Sequence, residues 1–552
     1  MTPALQNETQ TRTMTITAHS RRALLRASLR LGGGMAVGAL LAACGGDGSR
    51  SMLSPPPSAP SGRRQGSVRI GMTAASGDPV GLSDAVYSRL VALDPRTGKV
   101  HGDLARGFEV TNDGLTATVR LRDGLRFHAD KDGLASALTA EGVRRDFAVR
   151  GQTGDYLFAS VVDRVEAPDQ QTVVLRMRAP FSLLFDYLAD VQTGGVRAAT
   201  ATYAVTGALL GSGPFVPVAR EEAGTALVAN PLYHRSELPL LERVQVLAGG
   251  PSRDPAAAVT RGELEVALHT AGSTEQESGT PQADIAATAL RRTSRRMRGL
   301  GFSLAPQKGG GSQARAVPAM RDARVRQAVS LALDRKALAA LEGGVLSGPV
   351  SPAHRTDAIP ESELAKHPLY QHNPGEAKQL LEAAGQRELS FALEGANRPV
   401  TRAMAQLIER QLREAGFVPR VRLLPAADWE VLFLAGDFEG ALVEFDEMRT
   451  PDIGLRLHLS GGLPGNFSLW GFSSPKYDAE ARKAFAEIDP VRRGERARAA
   501  QRVLFDEVPA MFPLSAPPDY ATVASTLRGY AFDAFEFNAA WLASEWRVEP
   551  KR

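Results

Sequence analysis

Glu388-Leu389-Ser390-Phe391-Ala392-Leu393 reads as a strand, and the residues after it decide the fold class. Met404, Leu407, Ile408 and Leu412 recur at the spacing of one helix face, and Gly416 closes that run with a residue suited to a left-handed cap. Val418–Leu423 is extended again, and Gly440–Phe445 is a further short strand after a helix near Trp429. Strand, helix, strand in this order predicts an α/β unit whose strands run parallel with right-handed crossovers. Ligands of such sheets collect beyond the carboxyl ends of the strands, which directs attention to the loop over 446–455.

The neighbouring segments extend this unit. Upstream, Ala319–Ala337 places apolar residues at 325, 328, 329, 332 and 333, the stripe of a single helix. Asn373-Pro374 supplies an N-cap and a first-turn proline, Ala377, Leu380, Leu381 and Ala384 form the buried stripe, and Gly385 ends it. Downstream, the chain reads as helical from about Asp478, and Pro509–Leu514 reads as a returning strand. Towards the N-terminus the pattern turns to strands. Val68–Met72 alternates, and Phe108–Val110 and Leu115–Leu121 flank Asn112-Asp113-Gly114, a hairpin signal because glycine accepts positive φ. A second hairpin is expected around Pro168-Asp169, between Val161–Val165 and Thr172–Met177. Asp130-Lys131-Asp132-Gly133 lacks the outer ligands of a calcium loop, since position 128 is His and 139 is Thr, and reads as a surface turn. A chain of 552 residues exceeds one core, so two or more lobes are expected.

The first 66 residues are of another kind. Arg21-Arg22, followed by Leu24, Leu25 and Arg26, is similar to a twin-arginine export signal. Leu31–Ala43 is apolar but shorter than the roughly 20 residues a bilayer span requires. Leu41-Ala42-Ala43-Cys44 resembles a lipobox, in which Cys44 takes the lipid that anchors the chain to a membrane. Residues 1–43 are therefore expected to be a signal peptide, and 44–66, rich in Gly, Ser and Pro, a disordered tether. Residues 1–43 carry five Arg and one Glu; removing them from totals of 65 basic and 61 acidic leaves 60 of each. The mature part is thus neutral, which argues against nucleic acid as a partner. Cys44 is the only cysteine, so no intrachain disulfide is possible.

One family carries the same landmarks. Gly102-Asp103-Leu104-Ala105 through Phe108-Glu109-Val110, Asn112-Asp113-Gly114-Leu115-Thr116, Leu121-Arg122-Asp123-Gly124-Leu125-Arg126-Phe127-His128 and Leu138-Thr139-Ala140-Glu141 resemble the signature of the peptide/dipeptide/nickel-binding lipoproteins of ABC transporters, extracytoplasmic solute-binding protein family 5. Asp322 with Arg324-Val325-Arg326-Gln327-Ala328, Gly213-Pro214, Asn230-Pro231 with Tyr233, and Gly529-Tyr530 add to the resemblance. Phe108 stands where the family commonly has Trp, and the spacer between His128 and Leu138 is longer.

The resemblance implies a two-lobed periplasmic-binding-protein fold of type II, cluster C, with an extra β-rich subdomain. Lobe one is expected over 67–299 plus 511–552, its subdomain over about 105–208, and lobe two over 300–510, with crossings near 300 and 510. It implies a solute-capturing role between the lobes, most readily for a peptide or peptide-like compound, with permease and ATPase subunits as partners, a monomeric state and no cofactor. A sensing or chaperone role on the same fold, or a metal chelate such as nickel as ligand, is the alternative. Asp446, Asp452, Asn466, Phe467 and Trp470 are the ligand contacts carried over from the family, and Arg449 is added by its place in the loop. No Gly-x-Ser-x-Gly, His-Glu-x-x-His or phosphate-loop motif is present, so neither an enzyme's residues nor a resident metal is expected.

Overall fold

A computed structural model describes residues 50–51, 64–72, 82–94, 99–111, 113–130, 132–203, 206–221, 224–248, 255–270, 287–304, 315–446, 450–460, 469–530 and 540–549. Arg21, Arg22 and Cys44 lie outside them.

Among the described residues the three larger sheets have five, seven and six strands. The strand Ser67–Met72 lies between two parallel neighbours, Arg243–Ala248 and Val266–Thr270, inside the seven-stranded sheet of lobe one. Antiparallel strands complete it on both sides, among them Ala287–Thr293 and Pro518–Ala524. The five-stranded sheet is an antiparallel layer built on the two expected hairpins. Ala105–Val110 pairs with Thr116–Leu121, and Val162–Glu166 with Thr172–Met177. Gly114 takes φ +70° at the first turn, and its N–H donates to Thr111 O at 2.8 Å. Asp130 Oδ1 accepts from the N–H groups of Asp132 and Leu134, forming a local turn.

Lobe two is the α/β unit. Leu389–Ala396 runs parallel to both Phe417–Leu424 and Gly440–Asp446, with the helix Pro399–Glu414 as the first crossover. That helix buries Val400, Met404, Ala405, Ile408 and Leu412 against Phe391 and Phe417 of the sheet. Asn373 caps the helix Pro374–Ala383 by accepting from Glu376 N. The single helix expected over 319–337 is two: Ala323–Ala332 and Arg335–Ala340. Leu333 ends the first by turning extended, Asp334 caps the second by accepting from Ala337 N, and Arg335 turns inward onto the carbonyls of Pro513, Ser330 and Leu369. The apolar stripe continues across the break, so spacing alone does not reveal it.

The chain passes from the seven-stranded to the six-stranded sheet at Ser294-Arg295 and back at Pro517. Arg296–Phe302 and Met511–Ala516 therefore belong wholly to the six-stranded sheet, where they pair with each other and Arg296–Phe302 also pairs with Gly440–Asp446. A strand must satisfy its backbone groups in one sheet, which puts the crossings in the two short breaks. Each lobe has its own core, and Trp546 near the C-terminus is buried in that of lobe one. Among the described residues no helix is long and apolar enough to cross a membrane.

Candidate functional site

The face where the lobes meet is polar and buried. From lobe one, the helix Leu184–Ala189 presents Asp186 and Tyr187, and Tyr156 and Phe181 pack beside them. From lobe two, the short helix Asp452–Arg456 presents its first and last residues, four apart and so on one face. Tyr187 Oη donates to Asp452 Oδ2 at 2.8 Å. Arg456 Nη1 donates back to Tyr187 Oη at 3.1 Å and lies 3.6 Å from Asp452 Oδ2. The Arg456 guanidinium carbon stands 3.4 Å from the centre of the Tyr156 ring. Tyr156, Phe181 and Tyr187 touch one another, so the guanidinium meets an aromatic wall. Asp452 Oδ1 is buried with no hydrogen-bond partner.

A second charged pair extends the layer. Arg493, near the start of the helix Pro490–Asp506, forks onto Asp357 at 3.0 and 3.4 Å. Gln501 Nε2 donates to the Asp357 carbonyl at 2.7 Å, tying the loop over 351–357 to that helix. Gly494 lets the two approach, because a Cβ there would stand 2.5 Å from Thr356 O. Burial works against the Arg493 charge, but Asp357, with Asp186 and Asp452 further off, raises its pKa overall. Burial pushes the Tyr156 hydroxyl up to about 12 and that of Tyr187 well above its usual value, so both stay protonated. His354 is held neutral, first by burial and then by Arg295 and Arg493. His458 is likewise driven down to about 3 by burial, and neither ring nitrogen has a hydrogen-bond partner.

Behind this layer the crossings are braced by ion pairs. Arg296 of lobe two donates to Asp519 of lobe one at 2.6 Å, and Arg292 reaches the other oxygen at 3.3 Å. Arg298 Nε donates to both carboxylate oxygens of Glu342, at 2.8 and 2.9 Å, and its Nη1 pairs with Glu444. Burial raises the pKa of Glu444, but Arg298, Arg296 and Arg398 bring it down to about 2.

Of the residues singled out in the sequence, Asp452 stands in the interlobe layer. Asp446 ends its strand opposite Arg296 in the register, beside the crossing. Arg449, Asn466 and Phe467 lie outside the described residues. Trp470 is 1% exposed and packs in the lobe-two core against Phe433, Phe438 and Phe445, its indole lying on the backbone of Gly301. Tyr156, Tyr187, Arg456, Asp357 and Arg493 were not anticipated. Only Arg456 left a trace in the sequence, as a basic residue one turn beyond Asp452.

Comparison with known proteins agrees with this architecture. The sequence pattern described as bacterial extracellular solute-binding proteins, family 5, matches residues 99–466, more than half of the chain. The glutathione-binding protein GsiB of Pectobacterium atrosepticum is 23% identical over 485 residues, covering 81% of this chain and 87% of its own. Among solved structures, AgaA of A. tumefaciens in complex with agropinic acid superposes with a TM-score of 0.70 at 19% identity, over 88% of this chain and 99% of its own. DppA of Helicobacter pylori in complex with the peptide STSA gives a TM-score of 0.70 at 17% identity, with the same coverage.

Proposed function

The chain belongs to the bacterial extracellular solute-binding proteins, family 5, and from that membership we propose that it captures a peptide or peptide-like solute between its lobes for the permease of an ABC importer. It is a substrate-binding component of an ABC transport system and not an enzyme. The peptide reading is supported by relatives named for glutathione, itself a tripeptide, and for peptides. The observation that carries it is the buried interlobe layer, where Asp452, Tyr187 and the Arg493–Asp357 pair place hydrogen-bonding groups of both signs. Such a layer suits a solute with amide, ammonium and carboxylate groups. Closure around it would exclude water and strengthen each polar contact. Asp446, Arg449, Asn466 and Phe467, with Asp452, are proposed to meet the solute; Trp470 is proposed to act through its packing under that surface.

Export by the twin-arginine route through Arg21 and Arg22, lipid attachment at Cys44 and a monomeric state belong to the same reading. Native mass spectrometry of protein purified from the cell envelope tests it. A small peptide-like molecule released on unfolding, on a protein whose mass equals acylated 44–552, is the expected result. A released solute without peptide character would overturn the ligand class. An unprocessed N-terminus would overturn the anchor. Replacing Cys44→Ser is expected to move the protein into the soluble fraction.

A further inference from the structure

The Arg456 contact joins opposite lobes through side chains of one chain. Tyr156, Phe181 and Tyr187 are lobe-one residues; Asp452 and Arg456 sit on one turn of lobe two. Tyr187, Asp452 and Arg456 are each no more than 5% exposed, so the contact is desolvated. At the rim, Gly114 of the first hairpin turn stands against Ile488 of lobe two. We propose that Arg456 seated against Tyr156 and bridged through Tyr187 to Asp452 is an interlobe latch, by which the protein closes its cleft with its own side chains. This rests on the reading of the cleft as a capture site.

The balance of forces makes the latch reversible. Opening returns Arg456 and Asp452 to water, which solvates both well. Closing replaces that solvation with one charge-assisted hydrogen bond at 2.8 Å, one at 3.1 Å, an ion pair at 3.6 Å and a guanidinium on a tyrosine face. Desolvation and pairing of buried charges come close to cancelling. The Asp452 Oδ1 atom without a hydrogen bond tilts the balance further towards opening. A latch so poised holds a closed population yet yields to a solute that offers Asp452 a better set of donors. It also makes Arg456 a determinant of selectivity, since an incoming cationic group competes with a cation the chain already supplies.

The experiment tracks the closed fraction in protein stripped of solute by unfolding and refolding. Dyes on Leu134→Cys in lobe one and Val431→Cys in lobe two, both exposed positions, report interlobe distance by single-molecule energy transfer in a Cys44→Ser background. A closed population is expected without added solute. Arg456→Met leaves Asp452 buried beside an apolar chain only in the closed form, so the closed-to-open ratio should fall at least about tenfold. Tyr187→Phe keeps the ring and removes the hydroxyl bridge, with a fall of roughly three- to tenfold. Together the two guard against a variant that fails to fold. An unchanged ratio in both, or a wild-type protein wholly open without solute, overturns the latch. Neither result bears on which solute co-purifies, so the capture reading stands or falls separately.

Discussion

Two buried polar networks lie within the same interface region, and they are built to opposite ends. At the crossings, Arg298 is shared between Glu342 and Glu444, and Asp519 takes Arg296 and Arg292 on its two oxygens. Every member there has a charged partner at close range. In the cleft, Asp452 has one good donor, one distant cation and one unpaired oxygen. The first network holds strands whose positions must not change when the lobes move. The second spans surfaces that must separate. Close pairing of opposite charges marks the hinge, and a looser pair with a bare carboxylate oxygen marks the part that opens.

The largest expected effect tests the hinge side. Arg298→Met would leave Glu342 buried and Glu444 partly buried without their cation. Breaking such a network by removing one partner costs about 3–5 kcal/mol, visible as a fall in Tm. If the stability loss is only the few tenths of a kcal/mol typical of a surface pair, the hinge network is not structural and the contrast fails. By comparison, Arg456→Met should change Tm little while shifting the closed fraction.

A second test uses acid. The Glu444 carboxyl is held at about 2 in the folded protein, below its ordinary value of 4.5. A group with a depressed folded pKa contributes stability that is present above its unfolded pKa and is lost as pH falls towards the folded one. Unfolding free energy should therefore decline between pH 4.5 and about 2, in part through this group. Glu444→Gln should flatten that decline. An unaltered slope would remove Glu444 from the hinge account.

The same contrast explains what was legible in the sequence. The lobe-two sheet could be read because its strands and helices are each periodic over their own length, as Met404, Leu407, Ile408 and Leu412 show. Caps at Asn373 and the turn at Gly114 were local chemistry and were equally readable. The break at Leu333-Asp334 was not, because Arg335 is drawn inward by carbonyls, one of them 178 residues away. The rule about strand ends pointed to the loop that holds Asp452, and the family resemblance singled out the residue itself. Its partner Tyr187 lies 265 residues earlier, in a helix whose own sequence gives no sign of the contact. Aromatic character alone does not decide the place of Trp470: an indole fills a core as readily as it lines a cleft, and here Gly301 makes room for it within the core.

The smallest effect concerns the rim, where hinge-like rigidity and cleft-like reversibility meet in one residue. Gly114 adopts φ +70°, and a Cβ there would stand 2.7 Å from Ile488 Cδ1 and 3.1 Å from Pro180 Cβ. Gly114→Ala therefore carries two separable costs. The left-handed backbone costs about 1 kcal/mol whether the lobes are open or closed, and thermal unfolding reads it. The contact with Ile488 exists only when the lobes meet, and the end of an isoleucine can rotate aside, so the closed fraction should fall by less than about threefold. Adding Ile488→Ala removes the second cost and leaves the first. In the double variant the closed fraction should return to that of Ile488→Ala alone, while the Tm loss persists. If both losses disappear together, the turn and the rim are one mechanical unit, and closure draws on the stability of the hairpin itself.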